Sequence, residues 1–299
     1  MQQRLLGSTS VSAIGLGAMP LSLNGDQRYP DEAEAIGTIH AALDAGITLI
    51  DTADIYAPSW DRLGHNEALV GKAMRSYGSN SAGVVIATKG GITRSEGEEW
   101  GRDGSLEYLR VAVEHSLRAL QADVIDLYYW HRPDRWKLYA DVIGYFQLLQ
   151  QEGKIRAVGI SNANVEEIAV AEQVLGPGGL AAVQNEFSPS HPGSYDELVY
   201  CGERGIAFLP WSPLGGTSGG AKNVGDRFTV FKEIGASHGV SPQQVVLAWH
   251  LALGDHVIPI PGARRALSIT DSAAAATLTL TALELARCSA VVGLGVPTE

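Results

Sequence analysis

Four residues carry side chains that can hold or move a proton, and each lies at the end of a strand-like apolar run or just beyond it. Asp51 and Tyr56 lie in "TLIDTADIYAPS", Lys89 in "GVVIATKGGIT" and His131 in "VIDLYYWHRPD". An isolated phenol has a pKa of about 10 and is a poor acid at neutral pH. A nearby ammonium lowers that pKa, and a carboxylate keeps the ammonium charged and oriented. These residue types therefore predict acid–base catalysis.

Short β-rich runs alternate with longer segments of helical period along the chain. Eight such runs occupy residues 12–17, 47–51, 83–89, 124–131, 156–161, 181–186, 206–212 and 256–260. Strands that alternate with helices predict an α/β fold, and eight units predict a parallel eight-stranded (β/α)8 TIM barrel. The four residues would then meet at one mouth of the barrel, where the strands end.

Local patterns predict several helix boundaries and one unusual connection. Apolar residues recur at three- and four-residue steps from Leu106 to Leu120, which predicts an outer helix. Capping-box spacing from Asp31 and from Ser241 predicts helix starts. The glycine- and serine-rich segment 213–226 is long for a simple connection, so it is either a lid or a disordered insert, and we favour a lid.

Length and composition limit the class of protein. A chain of 299 residues with 45% hydrophobic residues can bury one large core, and we expect one domain over residues 1–299. The formal net charge of −11 disfavours nucleic acid and anionic membranes as partners. Cys201 and Cys288 lack metal-ligand spacing and are interpreted as small apolar residues. Because no signal peptide or membrane-spanning stretch is visible, we expect a cytoplasmic protein.

The motifs and their order resemble the aldo-keto reductase family. The resemblance includes "DTADIY", "ATKGG" and "HRPD" and continues through "RAVGISN", "VQNEFSP", "PWSPLGG" and "IPIPGARR" over nearly the whole chain. It implies reduction of a small aldehyde or ketone, with Tyr56 as general acid toward the carbonyl oxygen. Lys89 would lower the Tyr56 pKa, Asp51 would hold Lys89, and His131 would orient the carbonyl. The motifs "GLGAMPLS" and "YWHRPD" are similar to those of bacterial reductases of small aldehydes, including pyridoxal, and of sugar-like ketones.

The resemblance also implies NADPH, bound across the carboxyl ends of the strands. The chain has no strand-linked G-x-G-x-x-G unit, so a Rossmann-type site is not supported. Amides and a hydroxyl would hold the carboxamide, and an indole would stack on the nicotinamide. Glycine and nearby backbone groups would approach the pyrophosphate. The matching residues are Ser161, Asn162, Gln184, Trp211, Ser212, Leu214 and Gly216.

At the adenosine end, Arg264, with Arg265 beside it, matches a clamp for the 2′-phosphate and favours NADPH over NADH. Here the chain departs from the family pattern. The usual Lys-Ser pair is Gly262 and Ala263, and three further contact positions hold Ser268, Asp271 and Ser272. The phosphate would therefore meet fewer charges.

Alternatives remain for the pocket and the function. Tryptophans 60, 100, 130 and 211 indicate a largely apolar pocket, although Trp130 also fits a core position. A redox-sensing module like the potassium-channel β subunits shares this barrel, but the chain begins almost directly at the barrel, which disfavours that reading. A metal-dependent isomerase or lyase could use Asp51, Asp54 and His131, but a cation would be repelled by Lys89.

Overall fold

The computed structural model describes residues 1–23, 25–216 and 220–294. The strands in the described residues are β1 (Gln3–Leu6), β2 (Thr9–Ser12), β3 (Leu16–Gly17), β4 (Leu49–Asp51), β5 (Val85–Gly90), β6 (Ile92–Ser95), β7 (Glu99–Arg102), β8 (Ile125–Trp130), β9 (Ile155–Ser161), β10 (Leu180–Gln184) and β11 (Ala207–Phe208). Seven of them form one curled parallel sheet, whose order from edge to edge is β3, β4, β5, β8, β9, β10 and β11.

Helices connect successive strands of this sheet, as the alternating sequence pattern predicts. They are α1 (Glu32–Asp44), α2 (His65–Tyr77), α3 (Leu106–Leu120), α4 (Tyr139–Gln151), α5 (Val165–Leu175), α6 (Tyr195–Arg204), α7 (Gly220–Arg227), α8 (Thr229–His238), α9 (Pro242–Ala252), α10 (Ala266–Ala274) and α11 (Ala282–Val291). Within the described ranges, no helix combines the length and apolar character needed to cross a bilayer.

The sheet separates two apolar layers. Leu127 and Tyr129 belong to the inner layer, whereas Tyr128 and Trp130 pack in the outer layer against the helices. Neighbours lie in different layers because strand side chains alternate between the two faces. Gly159 makes room for Tyr129, since a Cβ at this position would lie 2.4 Å from the Tyr129 ring. The centre of the Tyr129 ring lies 5.9 Å from Lys89 Nζ, so the inner layer reaches the predicted site.

Residues 256–262 connect the two edges of the sheet without forming a regular strand. Val257 bridges to Phe208 in β11, and Gly262 bridges to Gly17 in β3, both in parallel. Pro259 and Pro261 have no N–H to donate, so on the β3 side the segment only accepts, from the N–H groups of Gly15 and Gly17. The structure thus has seven strands in this sheet, and the expected eighth run, 256–260, contributes isolated bridges.

Two antiparallel hairpins lie outside the parallel sheet, and the alternating pattern did not indicate them. The β1–β2 hairpin places Leu6 and Val11 in the inner layer. Its buried Arg4 donates 2.7 Å hydrogen bonds to the carbonyls of Leu251 and Gly254. The β6–β7 hairpin directly follows β5, beside the predicted site.

The local predictions are largely confirmed. Helix α3 has the predicted bounds, and Asp31 forms a complete capping box with Glu34. Ser241 accepts from the N–H of Gln244, but the Gln244 amide donates to Asp271, so only half of that box forms. Both cysteines are buried in helices, at positions 201 and 288. Of the predicted lid, residues 220–226 belong to α7 and residues 217–219 lie outside the described residues.

Candidate active site

The four predicted proton-handling residues meet at the carboxyl edge of the sheet. Asp51 is the last residue of β4, Lys89 lies near the end of β5, and His131 directly follows β8. Tyr56 is held in the loop after β4, where its N–H donates to the carbonyl of Ala53. Lys89 is fully buried, and Tyr56 and His131 each retain 8% exposure. Of the four, the phenol and the imidazole are therefore the groups most accessible to a small molecule.

The Lys89 ammonium is the centre of the hydrogen-bond network. Its Nζ lies 2.5 Å from Asp51 Oδ1, 2.7 Å from the Thr52 carbonyl oxygen and 3.5 Å from the Tyr56 hydroxyl. Three acceptors match the three protons of an ammonium. Gln184 Nε2 donates to the other Asp51 oxygen at 2.8 Å. Asp51 is thus fixed on both sides and, in turn, fixes Lys89.

Burial and neighbouring charges set the protonation of this network. Burial is the largest single effect and disfavours the Lys89 ammonium, but Asp51 and Tyr56 together outweigh it, so the pKa of Lys89 lies above its ordinary value. Burial also raises the pKa of the Tyr56 phenol, and the Lys89 charge only partly opposes this rise. Lys89 therefore acts on Tyr56 in the expected direction, although its effect is smaller than the effect of burial.

His131 is neutral at physiological pH. Burial, assisted by the charges of Lys89 and Arg132, lowers the pKa of its imidazole well below the ordinary value. Its ring meets the Tyr56 ring edge-on, with centroids 5.7 Å apart. Its Nδ1 is buried and finds no hydrogen-bond partner in the described part of the chain. A neutral ring can donate from one nitrogen to a carbonyl oxygen.

One cavity of about 920 Å³ extends from the Tyr56 hydroxyl across the ends of the strands. Lys89 lies behind its wall. The other three proton-handling residues line it, together with every residue expected to contact the coenzyme. These are Asp51, Tyr56, His131, Ser161, Asn162, Gln184, Trp211, Ser212, Leu214, Gly216, Arg264, Ser268, Asp271 and Ser272. Residues predicted from separate motifs thus share one continuous surface.

The three residues expected to hold a carboxamide form an interlocked group. Asn162 Nδ2 donates to the carbonyl of His131 at 3.0 Å and to Ser161 Oγ at 2.9 Å. Ser161 Oγ donates to the carbonyl of Gln184 at 2.7 Å. These bonds leave the side-chain oxygens of Asn162 and Gln184 available as acceptors and one Gln184 amide proton available as a donor. This set complements a primary carboxamide.

Two of the five non-glycine residues with a positive φ in the described part of the chain lie in or beside this group. Asn162 and Ser212 adopt left-handed conformations, with φ of 60° and 51°. For serine this conformation is costly, and such strain often marks a binding site. Gly215 and Gly216, with φ of 93° and 80°, continue the same turn after Trp211. Successive turns of this kind aim backbone N–H groups at an anion.

At the other end of the cavity, Arg264 already has an acidic partner. Its NH1 group lies 3.2 Å from both oxygens of Asp26 and donates to the carbonyl of Arg28 at 3.0 Å. Asp271 accepts from Ser241 at 2.7 Å and from Gln244 at 2.6 Å, so its carboxylate joins α9 to α10. An anion at Arg264 would therefore compete with Asp26.

The apolar wall differs from the sequence prediction. Trp211 lines the cavity, but Trp60 and Trp100 are surface residues outside its lining. Trp130 is a core residue that packs on Tyr139, with ring centroids 4.9 Å apart. The wall near Tyr56 is aliphatic, and its residues are Met19, Leu23, Ile55 and Ile92. No sequence period marks these four because they come from different loops and strands.

Two further carboxyl groups lie buried behind Lys89. Thr88 Oγ1 donates to Glu67 Oε1 at 2.6 Å, and burial raises the pKa of Glu67 to about 7. Burial, followed by the nearby Glu67 charge, raises the pKa of Asp54 well above its ordinary value. Sequence reasoning considered Asp54 only as a possible metal ligand. The structure places it in a buried pair with Glu67.

Comparisons with known proteins agree on one family. The aldo/keto reductase family model matches residues 13–292. An uncharacterised oxidoreductase of Schizosaccharomyces pombe is 33% identical over 276 residues, which cover 92% of this chain and 85% of the relative. The 6-dehydroglucose reductase of Novosphingobium aromaticivorans is 35% identical over 275 residues, which cover 89% of this chain and 86% of the relative.

A solved structure gives the same result in three dimensions. The aldo/keto reductase of Klebsiella pneumoniae, crystallised with NADP and acetate, superposes with a TM-score of 0.78 at 25% identity. The match covers 99% of this chain and 96% of that chain. Sequence and fold therefore lead to the same assignment over nearly all of the chain. This chain belongs to the aldo/keto reductase family.

Proposed function

We propose that this chain is an NADPH-dependent reductase of aldehydes or ketones in which Tyr56 protonates the carbonyl oxygen. The proposal rests chiefly on the buried chain of contacts from the Tyr56 hydroxyl through Lys89 to Asp51, at the floor of a cavity that can hold both reactants. A general acid must touch the oxygen it protonates, and Tyr56 is the proton donor of this network that faces the cavity.

The proton delivered by Tyr56 comes from a phenol whose anion is stabilised at once. As the proton leaves, the negative charge on the Tyr56 oxygen lies 3.5 Å from the Lys89 ammonium. Neutral His131 donates to the same carbonyl oxygen and holds it beside the phenol. The Asp51 and Thr52 acceptors keep the ammonium in place while the charge develops.

The residues across the strand ends fit a nicotinamide coenzyme. When bound, NADPH supplies the hydride that the carbonyl carbon receives. Asn162 and Gln184 would hold its carboxamide through the free acceptors and donor described above, and Ser161, whose hydroxyl bonds to both residues, would keep them in place. The indole of Trp211 would stack on the ring, and the left-handed turn that contains Ser212 would receive the pyrophosphate.

The preference for NADPH rests on the far end of the cavity. Arg264 precedes α10, whose N-cap residue Arg265 makes no side-chain cap, so the first N–H groups of that helix lack a capping side chain. A guanidinium next to an uncapped helix N-terminus favours a phosphate. Ser268, Asp271 and Ser272, which line the same end, would contact the adenosine portion.

Both rival functions meet observations that disfavour them. A metal ion would need the oxygens of Asp51, but Lys89 and Gln184 already bind them. A binding module needs no acid aimed at a substrate, whereas Tyr56 faces an aliphatic pocket beside the coenzyme cleft. Turnover separates all three, because a metal enzyme would lose activity on chelation and a redox-sensing module would bind NADPH without rapid catalysis.

We further propose that residues 1–299 form one catalytic domain and that the 256–262 segment closes the sheet as the eighth member of a (β/α)8 barrel. The two parallel bridges, to Phe208 on one edge and to Gly17 on the other, support closure. Circular dichroism during thermal unfolding, compared with loss of activity, tests the single domain, because one domain predicts a single coincident transition.

Aldehyde-dependent loss of the absorbance of NADPH tests the proposed reaction. Tyr56→Phe should lower turnover by about two to four orders of magnitude and leave NADPH binding little changed, since only the acid is removed. Tyr77→Phe is a matched control, because the Tyr77 hydroxyl bonds to Asp44 at the surface. Full activity of Tyr56→Phe with its best aldehyde would contradict the assigned role.

A further inference from the structure

Arg132 is a cation at the reacting end of the cavity that the mechanism above does not use. It directly follows His131 and lines the same cavity as Tyr56 and Trp211. Its side chain is partly buried, with Cζ 5.9 Å from the centre of the Trp211 ring. Burial has the largest effect on the pKa of Tyr56, which is raised, and on the pKa of His131, which is lowered; the Arg132 charge adds a smaller lowering effect to both.

Arg132 lacks the kind of acidic partner that Arg94, Arg135 and Arg264 have. Arg135 on the same loop pairs with Glu167, Arg94 pairs with Glu98, and Arg264 pairs with Asp26. Across residues 1–23, 25–216 and 220–294, the Arg132 guanidinium makes no ion pair and donates no hydrogen bond. Buried Arg4 also has no ion pair among the described residues, but its guanidinium donates to three backbone carbonyls, whereas that of Arg132 has no such acceptor.

A partly buried guanidinium without an ion-pair partner can serve as an anion-binding site. Burial without a counter-charge is unfavourable, so a ligand that supplies the missing negative charge gains both attraction and paired hydrogen bonds. The fork of a guanidinium fits a carboxylate or a phosphate. Because Arg132 follows His131 in sequence, an anion held there lies close to a carbonyl group held by His131 and Tyr56.

We propose that Arg132 determines substrate specificity by binding an anionic group, a carboxylate or a phosphate, on the carbonyl substrate. The aliphatic wall formed by Met19, Leu23, Ile55 and Ile92 would contact the uncharged part between the anion and the carbonyl. The proposal rests on the carbonyl reduction proposed above, and it narrows the substrate class to oxo acids or phosphorylated aldehydes and ketones.

Pairs of substrates that differ in charge test this role. The pairs are 4-formylbenzoate with its methyl ester, succinic semialdehyde with butanal, and glyceraldehyde 3-phosphate with glyceraldehyde. For Arg132→Gln, the ratio of kcat/KM for the anion to kcat/KM for its neutral partner should fall by about 10- to 100-fold. Arg132→Lys should retain part of the preference, because it keeps the charge but loses the fork. The first two pairs report on a carboxylate and the third on a phosphate.

Arg135→Gln is the matched control. It removes one positive charge from the same loop but outside the cavity, where Arg135 pairs with Glu167, so the anion-to-neutral ratio should stay at the wild-type value. An equal fall for the Arg135 and Arg132 variants would assign the effect to long-range attraction and overturn the proposal. An unchanged anion-to-neutral ratio in Arg132→Gln would also overturn the proposal. If weaker NADPH binding were the only effect of Arg132→Gln, Arg132 would be a coenzyme ligand and the proposal would be wrong.

Failure of the proposed reaction would be recognised separately. If the wild-type protein reduces none of the neutral aldehydes and none of the anionic ones, carbonyl reduction itself is wrong. Calorimetric titration of 4-formylbenzoate into the wild type and into Arg132→Gln would still decide the anion site. Binding that weakens about 10-fold or more in the variant supports it, and equal binding overturns it.

Discussion

Replacing Lys89 with methionine separates an electrostatic role of the ammonium from a positioning role. At 3.5 Å, an ammonium and a phenolate attract by about 5 kcal/mol at an effective dielectric constant of about 20. Asp51, 2.5 Å from the same ammonium, cancels part of this field. We therefore expect Lys89→Met to cost about 1.5–3 kcal/mol of phenolate stabilisation, which corresponds to about 10- to 100-fold in the rate at neutral pH.

The direction of the pH effect follows from the sign of the charge. The Lys89 ammonium lowers the Tyr56 pKa, so its removal must raise that pKa further above the ordinary value. Carbonyl reduction needs the protonated phenol, and its alkaline limb should move to higher pH. Alcohol oxidation with NADP needs the phenolate, and its rising limb should move to higher pH as well.

The assay is the rate of each reaction against pH at saturating coenzyme, for the wild type and the variant. Lys89→Met leaves the buried Asp51 without its partner, so Lys89→Met with Asp51→Asn serves as a control without an orphaned charge. Both variants should move the limbs in the same direction. If the limbs keep their wild-type positions and only the plateau falls, Lys89 positions the reactants and the electrostatic account is wrong.

Three further outcomes follow from particular contacts. Arg264→Ala should weaken NADPH binding by about 1.5–3 kcal/mol and hardly affect NADH binding. Asp26→Asn should tighten NADPH binding, because it releases Arg264 from its ion pair. Equal losses of affinity for both coenzymes in a titration of Arg264→Ala would give Arg264 a structural role. Ser212→Gly should be tolerated in urea unfolding or stabilise the fold, because glycine relieves the left-handed φ of 51°, and a marked loss of stability would contradict that view. Glu67→Gln should stabilise the protein by up to about 3 kcal/mol above pH 7. Folding raises the Glu67 pKa from 4.5 to about 7, so the free-energy cost of burying the Glu67 carboxylate grows as the pH rises through that range. A gain of equal size below pH 4.5 would contradict this origin.

The sequence predicted that Asp51, Tyr56, Lys89 and His131 would meet at one edge of the sheet, because their positions follow from strand ends. Asp51, Lys89 and His131 each end or follow a buried strand, and parallel strands bring such positions to one edge. The residues expected to contact the coenzyme were predicted from the family motifs, and most of them also follow strand ends. All eleven predicted coenzyme contacts line the cavity that contains the Tyr56 hydroxyl.

Features that depend on distant partners could not be predicted. Asp26 and Arg264 are 238 residues apart, and neither has a motif that indicates the other. Arg132 was visible only as part of "HRPD", since the absence of a counter-charge is a property of the folded surroundings. The expected tryptophan wall was wrong for Trp60 and Trp100, and Trp130 takes the core position that the sequence left open. An apolar side chain near a strand end can face solvent or core as easily as a pocket.

The prolines of the 256–262 segment have a consequence for how the molecule opens. Between this segment and β3, hydrogen bonds run in one direction only, from the N–H groups of Gly15 and Gly17 to the carbonyls of Pro259 and Pro261. Because the prolines cannot donate, half of the hydrogen bonds of an ordinary parallel strand pair are missing. We therefore expect this segment and β3 to separate at a lower free energy than the other strand pairs.

The coenzyme cleft crosses that same seam, because Gly17, Ile260 and Gly262 all line the cavity. A ligand that contacts both sides of a weak joint binds the closed form and holds it shut. We therefore expect amide hydrogens of Gly15 and Gly17 to exchange with solvent faster than those of the central strands in the free protein, and to slow most when NADPH binds. The rate of amide hydrogen exchange at Gly15 and Gly17, beside the prolines, would then report whether NADPH is bound.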